Sequence, residues 1–217
     1  MFPNAAKGVK RIFTAEILSL IAGVLAVPAF ILAVIGAAAA EVDSAGGAIA
    51  GLGGASVLLL ISGILFIIAA VLELVGIINA SKDEAAFKIA LYAIIASIVI
   101  SLVRSIFSSA ATLVSICDIL LKVAQIVVTV FIIQGVINLA KKVNNEAVAK
   151  KGNSLLYIIT CIYILSAIAS IVVAIFGGYA ASFIAGVIAI VGAVLEVVQY
   201  VVFLVLLAQA KKMLAQA

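Results

Sequence analysis

The chain has 217 residues, of which 68% are hydrophobic and 10% charged, with no histidine, no tryptophan and a formal net charge of +4. A soluble globular domain is roughly half apolar and about a quarter charged, so this composition excludes one and leaves a multi-pass membrane protein. The missing histidine argues against haem and the common transition-metal sites, so no cofactor is expected, and the lysines and arginines flank apolar runs without forming the continuous basic face that nucleic acid would need.

The predicted fold is all-α: residues 1–217 form a single integral-membrane domain, a bundle of about six transmembrane helices of about 20 residues each. Lys7, Lys10 and Arg11 precede the apolar run Ile12–Gly36, which exceeds the about 7–15-residue core of a secretory signal and reads as the first span (12–36). Pro28 removes a backbone donor there and marks an expected kink. Ala37–Ser56, small and Gly-rich with Glu41 and Asp43 its charges, reads as a loop; Gly51-Leu52-Gly53-Gly54 offers a re-entrant, carbonyl-lined filter as the alternative. The second and third spans (57–79 and 87–104) are separated by Lys82-Asp83-Glu84. A Ser-rich loop or interfacial turn, Ser105–Ser115, leads to the fourth span (119–139). The most polar segment, Lys141–Asn153, precedes the fifth span (155–175), and Gly177-Gly178 breaks it from the sixth (183–207).

Lysine and arginine concentrate on one side. The N-terminal tail, the second–third connection (Lys82, Lys88), the fourth–fifth connection (Lys141, Lys142, Lys150, Lys151) and the C-terminus (Lys211, Lys212) carry them, against Arg104 and Lys122 on the other. With short loops this bias predicts a cell-membrane protein with both termini cytoplasmic. Three hairpins of one orientation follow, and similar charged segments around Glu73, Lys122 and Glu196, the last two sharing Leu-charge-Val-x-Gln-x-Val-Val, make them candidate parallel repeats. Three two-helix units invite comparison with the mitochondrial carriers, but that family's Pro-x-acidic-x-x-basic signature is missing, since neither Pro3 nor Pro28 has an acidic residue two positions on. Six-span substrate-binding subunits of bacterial vitamin importers match in length and topology alone. Cys117 and Cys161 fall at different depths and are predicted to be free thiols.

Ionisable groups inside spans are costly, and they rank first as candidates for function. Glu73 shares a helical face with Ser62, Ala69, Ala70, Gly76 and Ala80; Glu196 shares one with Ala185, Ala189, Gly192, Ala193, Gln199 and Tyr200. Asp118 and Lys122 stand four apart in favourable ion-pair order. Lys122 and Glu196 occupy the same slot of matched segments on helices of one direction, so Lys122 is expected to reach inward to Glu196 across a polar pocket that Gln125 and Gln199 also line. Tyr157, Thr160, Cys161 and Tyr163 give the fifth span a polar face. No histidine base, nucleophile setting or phosphate-cradling loop is present, so no enzyme is expected. Two functions remain: a transporter or transporter subunit for a small, largely apolar solute, or a structural, partner-binding membrane subunit. The expected partners are the lipid bilayer, a small-molecule solute and other membrane chains in a homo- or hetero-oligomer, with no nucleic acid.

Overall fold

A computed structural model describes the backbone of residues 2–41, 45–176 and 178–216 and, within these, all side chains except those of 39–52, 166–167, 169–185 and 187–189. Six α-helices follow in order: α1 (Pro3–Glu41), α2 (Ala45–Ala80), α3 (Ala86–Ile106), α4 (Ala111–Lys142), α5 (Glu146–Phe176) and α6 (Gly178–Gln216). Each contains a stretch long and apolar enough to cross a membrane, and no strand occurs among the described residues. The expected fold class is the observed one. Backbone in hydrocarbon must satisfy its own polar groups, and a helix does so within one segment.

The helices run further than the predicted spans. Ala37–Ser56, expected as a loop, is helical up to Glu41 and again from Ala45, with residues 42–44 outside the described ones. Alanine propagates a helix without needing side-chain contacts, and Ala37–Ala40 carry α1 on. Gly51-Leu52-Gly53-Gly54 lies inside α2, so its backbone belongs to the helix ladder and forms no re-entrant filter. The Ser-rich stretch contracts to a turn at 107–110, and the polar segment after the fourth span contracts to 143–145. There Asn144 turns the chain with φ 54°, and the Asn145 side-chain oxygen accepts the Val148 N–H at 3.2 Å to cap α5. α5 and α6 meet at the expected glycine pair, of which Gly177 lies outside the described residues.

The chain forms two compact units, Lys10–Gly76 and Met1–Val9 with Ile77–Ala217. In the first, Ala15, Ala22, Ala29 and Gly36 on α1 are all buried, as are Ala55, Ser62, Ala69 and Gly76 on α2. Both stripes repeat every seven residues. A seven-residue period keeps small side chains in line along a left-handed helix crossing, and small residues let the backbones approach. The approach is close enough for Ser62 Oγ to donate to the Ala22 carbonyl oxygen at 2.8 Å. Ala70, expected on this buried face, is exposed, being one position round the helix from Ala69.

In the second unit α4 packs against α3, α5 and α6. Its C-terminal half is buried through Ile132, Ile133, Gly135, Val136, Ile137, Leu139 and Ala140, a wide apolar face that leaves one side to Gln134, Asn138, Lys141 and Lys142. The largest buried side chains of its neighbours, Phe87, Leu155, Leu206 and Leu207, fall at the start of α3, the start of α5 and the end of α6. Toward the opposite end many of the described apolar side chains are open: Ile106 is 74% exposed, Ile190 69% and Val197 65%. The unit is therefore tightly packed at the lysine-bearing end and loose at the other. Both cysteines are free, Cys117 buried and Cys161 exposed.

Candidate functional site

The packed end of the second unit is held by a polar knot. Glu84, in the turn between α2 and α3, is buried, and its two carboxylate oxygens accept from Asn138 Nδ2 at 2.9 Å and Lys142 Nζ at 2.6 Å. Gln134 Nε2 donates in turn to Asn138 Oδ1 at 2.9 Å. Residues 134, 138 and 142 are one turn apart on α4, so a single stripe presents all three to the turn. Lys142 Nζ also stands 5.6 Å from the centroid of the Phe2 ring, within cation–π reach.

Asp83 ties in the N-terminus. Its carboxylate accepts from Asn4 Nδ2 at 3.0 Å and from the Ala5 N–H at 2.8 Å. That N–H belongs to the first turn of α1, which has no intrahelical acceptor for it and whose dipole favours an anion. Burial pushes the Asp83 carboxyl up, but the bonds from Asn4 and Ala5 outweigh it and hold it below the usual carboxylate range. Glu84 behaves alike: burial raises it, and the bonds from Lys142 and Asn138 with the lysine charge bring it below that range.

Beside the knot lies a partly open groove of about 420 Å³ at the α4–α5 turn, lined by Lys141, Asn144, Asn145, Glu146, Ala149, Lys150 and Asn153.

The residues singled out from sequence sit elsewhere. Lys122, Gln125, Thr160 and Glu196 are exposed, Tyr163 is 41% and Tyr157 75% exposed, and Glu73 and Gln199 are half-buried. Thr160 Oγ1 donates at 2.9 Å to the Leu156 carbonyl of its own helix. Arg104 pairs with Asp118 at 2.7 Å and Lys142 with Glu84 at 2.6 Å. Both expected pairings of Lys122 are thereby corrected. Asp118 is taken by Arg104 from the end of α3, and Lys122 does not reach Glu196, because both stand where the unit is loose and their helices leave side chains open. Glu73 flanks the small-residue seam of α2, between Ala69 and Gly76.

Sequence reading passed over Glu84, Asp83, Asn138 and Gln134, having taken Lys82-Asp83-Glu84 as a separator. The four-residue spacing of Gln134, Asn138 and Lys142 was the available signal, a polar stripe on an otherwise apolar helix.

These features define a class, a multi-pass membrane protein with one knotted polar end and polar side chains exposed within its spans. No family model, no curated protein and no solved structure matches the chain.

Proposed function

We propose that the protein is a membrane-embedded assembly subunit that acts without catalysis and associates with a second copy of itself through the open faces of α4 and α6. The observation that carries this reading is the exposure of Glu196 within its span. At 1.5 Å per residue Glu196 lies about 22 Å along the helix from Lys211, inside a hydrocarbon layer of about 30 Å. A lipid-facing carboxylate there is costly and calls for a donor. Lys122 is exposed, of opposite sign and about 6 Å different in depth when measured from Lys141, a gap that its stem covers. One turn before Glu196, a side chain added at Gly192 would meet nothing within 4 Å, so this face has room for another helix. A solute carrier would instead need Glu73, Lys122, Gln125, Tyr157, Thr160, Tyr163, Glu196 and Gln199 to converge on one chamber, and the exposure of Tyr157, Gln125 and Thr160 favours association.

Charge reversal tests it. Lys122→Glu and Glu196→Lys are each expected to weaken self-association in detergent or nanodiscs by about tenfold or more, and the double reversal to restore it. Unchanged self-association in both single variants would sink the reading.

In this reading the lysine-bearing end faces the cytoplasm, following the one-sided distribution of lysine and arginine. Ala147 is exposed at the start of α5. In a background with Cys117 and Cys161 replaced by alanine, an Ala147→Cys variant is expected to resist a membrane-impermeant maleimide in intact cells and to react after permeabilisation. Labelling of intact cells would reverse the orientation.

A further inference from the structure

We infer that the groove at the α4–α5 turn is a binding site for a phosphate group, and that the ligand is the headgroup of an anionic lipid. The argument rests on the cavity and its charges. Its volume, about 420 Å³, suits a headgroup. Two lysines line it, Lys141 and Lys150, against one acid, Glu146, and neither lysine takes part in an ion pair among the described residues. The Asn145 side-chain oxygen accepts the Val148 N–H, which orients the amide and leaves both hydrogens of its NH₂ group to donate. Asn144 and Asn153 add further amide donors. A cavity with surplus donors and a net positive lining is suited to an anion, and a phosphate can take both ammonium groups at once.

Placement favours a lipid over a soluble phosphate. The groove lies where the apolar stretch of α4 ends and that of α5 begins, which is the level of the headgroups. Lys142, next to Lys141 but outside the lining, is tied to Glu84, which anchors the end of α4 from which Lys141 projects.

The test uses the full-length protein extracted into detergent with defined mixtures of phosphatidylglycerol and phosphatidylcholine, with retained lipid read by native mass spectrometry. The wild type is expected to retain phosphatidylglycerol selectively, and the Lys141→Gln/Lys150→Gln variant to lose about tenfold or more of that retention. All three lysines in the comparison are exposed, so the substitutions spare the core. Lys151→Gln, adjacent in sequence but outside the groove lining, is expected to stay within about twofold of wild type. Millimolar inorganic phosphate separates the two sources of the ligand: failure to displace the lipid is the expected result, and ready displacement overturns the lipid assignment in favour of a soluble phosphate. Equal losses in the groove variant and Lys151→Gln, or no selectivity in the wild type, overturn the site itself.

Discussion

Replacing Glu84 by alanine is expected to destabilise the protein by about 2–3 kcal/mol, read as a shift in an SDS-unfolding titration. Glu84 is buried, and both its oxygens are occupied by donors from α4. Hydrogen bonds to a charged group contribute about 1.5–3 kcal/mol, and removing one partner leaves the others to be desolvated without compensation. The Lys142 side chain is 47% exposed and can turn to water, which keeps the loss below the about 3–5 kcal/mol of a fully buried broken pair. Asn138 is only half-buried but loses the acceptor that its side-chain NH₂ faced. Glu84→Gln keeps an acceptor and is expected to cost about half as much. An alanine variant as stable as wild type would show that the knot contributes nothing.

The same knot sets an acid limit. Asp83 and Glu84 have folded pKa values depressed below their ordinary values of 3.8 and 4.5, so their contribution is complete above those ordinary values and is lost as pH falls through the depressed ones. The stability gap between wild type and Glu84→Ala is therefore expected to hold steady from about pH 7 to 5 and to narrow below about pH 4. A gap that widens on acidification would reverse the sign of this argument.

The second large effect is expected at Gly135. A Cβ there would stand 2.5 Å from Cε2 of Phe87 and 2.8 Å from two further ring atoms. Phe87 is fully buried and has nowhere to swing. Gly135→Ala must push α3 and α4 apart or drive the ring off its rotamer, an overpacking cost of about 1–3 kcal/mol, and Gly135→Val should cost more. The ring is the specific obstacle, so in a Phe87→Leu background the added cost of Gly135→Ala is expected to fall below about 1 kcal/mol, a coupling that a double-mutant cycle measures. A cost unchanged by Phe87→Leu would place the strain in the α4 backbone.

Six helices were legible in the sequence because the bilayer imposes a demand that composition alone answers: about 20 apolar residues per crossing, with every backbone group bonded within its segment. Helix ends were less legible. Ala37–Ala40 and the glycines of 51–54 look like a loop, yet alanine is the best helix former and the glycine-bearing stretch is helical despite glycine's low propensity. Which face of each helix is covered was set by tertiary structure. In a chain apolar on all sides, periodicity barely distinguishes a lipid-facing stripe from a core-facing one, so Glu196, expected inward on its stripe of small residues, and Lys122, expected inward as its partner, both stand outward. Glu84 shows the converse. In sequence it is one of three charges in a short connection, and its burial arises because Asn138 and Lys142, more than fifty residues away, are brought to it by the docking of α4 on α3. Local chemistry determined that this chain crosses membranes in helices; the partners of its charges depended on which helices met and at which end they packed, because a single side chain carries no record of neighbours that distant in the chain.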